Sequence, residues 1–216
     1  MSPDPEVSGG KKRKRAELIA VSVATEAAKK NKSCGTQFTS SSLLTQPRIL
    51  ELEEAIISSP RNYNDLTLLL SCLQVFSDPV LAITAAVSLC RAFCQLLSLG
   101  RMARGKNDTH AEQKLLAWLK ERYKEYVKEL ELLMGSEDLS YQSTALTLMM
   151  RLIKEEGTHL MPPRNEYFFP HDLMARVVRT VLYLDVSRGV PLRDEFVTKW
   201  LNAYHDVRYS FMFVTL

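Results

Sequence analysis

The chain reads as all-α: a HEAT-like α-solenoid or an irregular stack of helical hairpins, behind a disordered basic N-terminal tail. Three observations predict this. Apolar residues recur at three- and four-residue steps, as in Leu115, Leu119, Tyr123, Tyr126, Val127, Leu130 and Leu133, which puts one stripe on one helix face. Start and stop signals fall in helical order, with Asp78-Pro79 ahead of an apolar run and Gly100 behind it. Strand alternation is absent except for a weak Tyr209-Phe211-Phe213 pattern.

Residues 1–47 hold Ser, Thr and Gly clusters and few aromatics, so they bury too little to offset the entropy of ordering. An Ala-rich piece, 16–30, is expected to become helical only on contact with something else. Residues 48–216 are expected to form the helical domain. Ile49, Leu52, Ile56 and Ile57 share one face of a first helix that stops near Pro60. A second runs from about Asn64 to Phe76. Asp78 caps the third, and Pro79 fits its first turn because the missing N–H is an orphan there anyway. Residues 101–109 read as a polar loop. The fourth helix carries the aromatic stripe, with Lys120, Glu121, Lys124, Glu125, Lys128 and Glu129 on its solvated face. The fifth spans about Leu139 to Glu156, turns Ala145, Leu148, Met149, Leu152 and Ile153 inward, and is expected to end at Gly157. Two more helices are expected after Pro170 and Pro191, and the segment from Val207 onward is expected to be helical too.

A faint repeat supports stacking. Ala86, Leu89, Phe93 and Cys94 align at a constant offset with Ala145, Leu148, Leu152 and Ile153. The offset exceeds one HEAT unit of about 40–47 residues, so the loop at 101–109 would be an insertion. An irregular bundle accounts for the spacing nearly as well.

Charge is unevenly placed. Residues 1–33 hold eight of the 28 Lys and Arg and four of the 25 Asp and Glu, which leaves the remainder nearly neutral at 20 against 21. A neutral body has little non-specific grip on nucleic acid, which depends on clustered cations releasing counterions. The tail is different. Lys11, Lys12, Arg13, Lys14 and Arg15 form an unbroken basic run, as an import receptor or RNA phosphate would require.

The chemistry of catalysis is missing from the pattern. His110-Ala-Glu112 matches half of a zinc-deaminase motif, but that site needs a downstream Pro-Cys-x-x-Cys and no Cys follows Cys94. Cys90 and Cys94 share a helix face without further ligands, and they read as buried packing that suits a reducing compartment. His159, His171 and His205 are scattered. Neither a nucleophile elbow nor a phosphate loop appears. The apolar stretch 66–99 is broken at Ser77-Asp78-Pro79 and at Arg91, so neither piece is expected to reach the roughly 20 apolar residues that span a bilayer. No enzyme, cofactor, metal or membrane role is expected. Trp118, Trp200, Phe168 and Phe169 are anchors of a core or of an interface. Phe168-Phe169 stands apart because two adjacent aromatics cannot both face one core. Asp206 and Arg208 are expected to form a local ion pair beside Tyr204 and Tyr209.

The order of several fragments resembles the N-terminal half of the nucleolar complex protein 4 family, in a fungal-like member of the wider CCAAT-binding-factor-related group. These fragments are Trp118-Leu-Lys-Glu-Arg-Tyr123, Leu130 to Met134, Gln142-Ser-Thr-Ala145-Leu, Leu152 to Gly157, Asn165-Glu-Tyr-Phe-Phe-Pro170, Phe196, and Tyr204-His-Asp-Val-Arg-Tyr209. The likeness covers about half the chain, from Gln113 onward, and is softer over 66–100. It implies a HEAT-like nucleolar scaffold without catalytic activity. It further implies assembly with a nucleolar protein 14 partner and other pre-ribosomal proteins in the small-subunit processome, in support of ribosomal RNA processing. Protein-contact candidates are Trp118, Tyr123, Phe168, Phe169, Tyr204, Asp206, Arg208 and Tyr209. The family continues into a C-terminal domain associated with the stable partner contact. The chain is therefore expected to be a truncated piece whose hold on that partner is in doubt. The competing expectation is direct RNA binding through the arm at Lys11–Arg15.

Overall fold

Asp78 sets the third helix as its sequence requires: its side chain accepts from the backbone N–H groups of Val80 and Leu81 at 2.9 and 3.4 Å. The computed structural model describes residues 45–74, 78–105, 109–160 and 168–215, apart from the side chains of 186–188. The basic run and the 16–30 piece lie outside the described residues. Within them there are eight α-helices and no strand: α1 Gln46–Ser58, α2 Asp65–Gln74, α3 Pro79–Ser98, α4 His110–Met134, α5 Leu139–His159, α6 His171–Tyr183, α7 Val186–Phe196 and α8 His205–Thr215. A 3-10 turn, Pro60–Asn62, follows α1, and a π-helical turn, Val197–Leu201, extends α7.

Helix ends obey local chemistry. After α3, Gly100 takes φ +68, the left-handed conformation open to glycine. Arg101 N–H then donates to Leu96 C=O and Gly100 N–H to Leu97 C=O, both at 2.9 Å, closing a Schellman stop. Thr109 and Glu112 cap α4 reciprocally: Glu112 N–H donates to Thr109 Oγ1 at 3.3 Å, and Thr109 N–H donates to Glu112 Oε2 at 2.8 Å. Asp138 accepts from Ser140 N–H at 2.7 Å at the start of α5.

The helices form two rows. Odd-numbered helices stack as α1 on α3, α3 on α5 and α5 on α7, while even-numbered ones stack as α2 on α4, α4 on α6 and α6 on α8. Consecutive helices join the rows. Each helix therefore meets those one and two places away in the chain, the neighbour-on-neighbour arrangement of a solenoid. Buried apolar faces from both rows make one continuous core. Polar ties fasten successive row members: Arg91 to Glu53 (3.5 Å), Gln74 to Glu129 (3.3 Å), Arg176 to Glu131 (3.1 Å), Ser143 to Glu195 (2.9 Å) and His171 to Ser210 (3.3 Å). The repeat seen in sequence has a physical meaning here. Ala86, Leu89, Phe93 and Cys94 on α3 and their counterparts on α5 are all buried, on adjacent members of the odd row.

Several expectations need correcting. The first helix begins at Gln46 rather than Arg48, with Pro47 inside its first turn. Gly157 does not end α5, which continues to His159. The 168–170 segment passes close beside this glycine: a Cβ there would sit 3.4 Å from the Phe168 carbonyl oxygen and 3.7 Å from Pro170 Cδ, ordinary van der Waals contact. Pro191 lies inside α7, which starts five residues earlier. Burial of Leu192 and Phe196, one turn apart, holds that helix despite the proline. Leu115 is exposed, whereas Glu129, assigned to the solvated face, is buried against Gln74. The 101–109 loop is not wholly polar in position, for Met102 is buried. Finally, α3 is long and apolar enough to cross a membrane, with mean hydropathy 1.9, yet 61% of that window is buried. Packed by α1, α2 and α5, it occupies the place of a central core helix.

Candidate protein-interaction surfaces

Two surfaces differ from the rest of the body. The first is an open cleft of about 650 Å³ on the even row. The Schellman stop turns the chain back after α3 and places Met102 and Arg104 at one wall. The middle of α4 supplies Lys120, Tyr123 and Lys124, and the start of α6 supplies Asp172 and Arg176. Leu97, Val127 and Leu173 form the floor. Tyr123 donates its hydroxyl proton to Glu156 Oε1 at 2.5 Å, while its ring meets Phe93 edge-on at 5.2 Å. Burial drives the Tyr123 hydroxyl far above the usual tyrosine range, and the Glu156 carboxylate adds to the effect. Burial also raises the Glu156 carboxyl, partly opposed by the hydrogen bond from Tyr123. Arg176 is committed to Glu131.

The second surface is α8. Val207 and Ser210 are buried, with Phe211 and Val214 half-buried beside them. Phe211 lies 6.3 Å from Phe196, ring to ring. The opposite side exposes Tyr209 (70%), Met212 (58%) and Phe213 (68%), spaced at i, i+3 and i+4, so they form one stripe. Tyr204 is also exposed and stacks on Trp200 at 6.0 Å. The expected Asp206–Arg208 pair does not form. Residues two apart on a helix point to different sides, and Arg208 instead meets His205 Nδ1 at 2.8 Å. Asp206 stands in the first turn of α8, where the helix dipole favours an acid.

The remaining candidates are spread out. Trp118 is half-buried on α4 with the Arg122 guanidinium 5.7 Å from its ring. Phe168 and Phe169 are both half-buried, and Phe169 reaches the core and the ring of His171 at 5.1 Å. Of the protein-contact candidates the structure brings Tyr123 into the cleft and Tyr204, Asp206, Arg208 and Tyr209 onto the exposed α8 end. Lys120, Lys124 and Arg176 were missed as cleft residues; the i, i+4 pair of lysines was the available signal. Met212 and Phe213 were missed as surface, because their spacing is equally that of a core stripe.

Other chemistry-bearing side chains serve structure. His110-Ala-Glu112 is the first turn of α4, with Glu112 in the capping box. Cys90 and Cys94 sulfurs lie 3.9 Å apart in the core, and the Cys94 side chain and burial push the Cys90 thiol far up. His159 pairs with Glu155, His171 with Ser210 and His205 with Arg208. Among the described residues no three His, Cys, Asp or Glu side chains gather as a metal site.

The two-row stack defines a helical-repeat protein. Residues 39–216 match the family model described as nucleolar complex protein 4-like, TPR repeats, and the chain belongs to that family. TPR repeats, like the HEAT units expected from sequence, are stacked helix pairs. An uncharacterized protein of Schizosaccharomyces pombe is 28% identical over 172 residues, covering 76% of this chain and 33% of that protein. The chain thus spans about a third of that relative's length. No solved structure matches.

Proposed function

We propose that the protein is a non-enzymatic scaffold of nucleolar ribosome biogenesis. In this reading it contributes to small-subunit processome assembly and ribosomal RNA processing beside a nucleolar protein 14-like partner. The observation that carries the reading is family membership joined to architecture: polar pairs tie successive helices of each row together, while an aromatic stripe on α8 faces outward. Tyr204, Tyr209 and Phe213 are assigned to a protein partner that offers a complementary apolar strip. Aromatic side chains suit that role because they present large, stiff area at low entropic cost. Lys11, Lys12, Arg13, Lys14 and Arg15 are assigned to an import receptor, which puts the protein in the nucleus and nucleolus.

Depletion in the source cells, followed by hybridisation of pre-ribosomal RNA, tests the role. Small-subunit precursors should accumulate while large-subunit precursors mature normally. The tagged chain should recover small-subunit pre-ribosomal proteins, and a Tyr209→Ser, Phe213→Ser double variant should recover fewer. Unchanged precursors on depletion would rule the role out. The unbroken basic run also favours a second reading, direct RNA binding by the arm. Deleting residues 1–33 separates the two: retention on RNA is lost if the arm binds RNA, whereas a scaffold loses nuclear accumulation and keeps its protein partners.

A further inference from the structure

We propose that the edge of the stack formed by the α2–α3, α4–α5 and α6–α7 turns is a self-association surface, on which a second copy of this chain docks about a two-fold axis. This edge is separate from the cleft and from the α8 stripe.

The rows bring these turns together. Gln74, the last residue of α2, reaches Glu129 near the end of α4, and Arg176 on α6 reaches Glu131. Arg176, Arg179 and Tyr183 share one face of α6 at i, i+3 and i+7, so the face that carries Tyr183 is the one turned toward the end of α4. In the odd row, burial raises the Tyr141 hydroxyl above the usual tyrosine range, and the Asp138 and Asp78 carboxylates add to the effect. The starts of α3 and α5 therefore stand side by side.

Apolar exposure is the first ground. Of the fifteen large apolar side chains exposed among the described residues, six stand on this edge: Val80, Leu132, Leu139, Leu182, Tyr183 and Val190, at 42–85%. Scattered single residues need no explanation, but a run across three neighbouring turns marks a contact surface. Covering it removes roughly 550 Å² per copy and about 1,100 Å² for the pair, slightly less than a tight complex buries. The dimer is therefore weak, with a Kd on the order of 10 µM.

Charge identifies the occupant. Residues 75–90 and 132–150 carry Asp78, Glu137 and Asp138 and neither lysine nor arginine. Residues 176–193 carry Arg176, Arg179, Arg188 and Arg193 against one acid, Asp185. Arg176 is tied to Glu131, and Arg193 donates to the carbonyls of Val181 and Leu182. Arg179 is exposed and has no ion-pair partner among the described residues. An acidic peptide, a basic peptide or a nucleic acid meets its own charge on half of this edge. A second copy turned by 180° sets each acidic half against the other's arginine half, with Glu137 opposite the partner's Arg179. Such an isologous contact closes at two chains.

Sedimentation velocity on the 216-residue chain from about 1 to 200 µM tests this. The mass should rise from the 24.6 kDa of one chain to twice that value and stop there. Leu132→Ser with Tyr183→Ser should weaken dimerisation by about tenfold or more. Glu137→Arg and Arg179→Glu should each weaken it by about fivefold, and both in one chain should restore it to within about twofold, because the charges are exchanged on both partners. Tyr209→Ser with Phe213→Ser should leave it unchanged. The four substituted edge residues are exposed, and unchanged melting curves will verify folding. A single-chain mass at every concentration would overturn the proposal, and so would growth past the dimer, which marks an open head-to-tail contact. A dimer that survives loss of Leu132 and Tyr183, that the double charge exchange fails to restore, or that the α8 variant dissolves would overturn it as well.

Discussion

The middle of the stack and its α8 end are built from the same kind of helix, yet they treat aromatic residues oppositely. On α3 and α4, Phe93 and Tyr126 are fully buried and stacked at 5.4 Å, with Tyr123 edge-on to the same Phe93 ring. On α8, Tyr209 and Phe213 are mostly exposed at helical spacing. The difference lies in the number of neighbours. Among the described residues α4 has a row neighbour on each side, α2 and α6, while α8 has one. An apolar stripe becomes core or contact surface according to what lies across from it.

The largest effect that would sharpen this contrast is Phe93→Ala. Removing a buried ring that joins α3 to α4 should cost about 3–5 kcal/mol. That would lower the melting temperature by about 10 °C or more, measured by circular dichroism. Tyr126→Phe should cost about 1.5 kcal/mol in urea unfolding, because the hydroxyl donates to the Ala86 carbonyl at 2.7 Å in the core. Thr109→Ala removes the cap of α4 and should cost about 1 kcal/mol in the same measurement.

A pH effect comes next. Burial raises the Glu156 carboxyl in the folded protein above its ordinary 4.5. Its contribution to stability is therefore complete below that ordinary value and is lost as pH rises through the folded one. Glu156→Gln removes the carboxyl and still accepts from Tyr123, so its urea midpoint should fall less than the wild type's between about pH 4 and pH 8. A steeper fall in the variant would contradict this. The smallest effect should be at the end: Tyr209→Ser with Phe213→Ser should change stability by less than about 0.5 kcal/mol. A loss comparable to Phe93→Ala would show that α8 is core after all and break the comparison.

Much of the body was legible because its signals are local. The Asp78-Pro79 start, the Gly100 stop and the inward stripe of α5 each need only a few residues of context, and each took the expected form. Pro191 misled because burial of Leu192 and Phe196 outweighs the local cost of a proline, and that burial depends on α5 and α6. Gly157 misled because a glycine with ordinary helical backbone does not end a helix, and α5 runs through it to His159. Glu112 completes half of a catalytic motif in sequence, but three residues after Thr109 it forms the capping box of α4 instead. The cleft was the least legible feature. Lys120 and Lys124 look like any solvated face until Arg104, Glu156 and Arg176 arrive from three other elements.

By itself the sequence determined where helices start, which faces are apolar, that α3 and α5 repeat one another, and which family the fragments resemble. These depend on backbone capping and a 3.6-residue period, both short-range. Only the tertiary structure decided which apolar stripes are covered, which lysines are left without acids and where a cleft opens. Those depend on which helices stand two places apart in the stack, and no short stretch of residues carries that information.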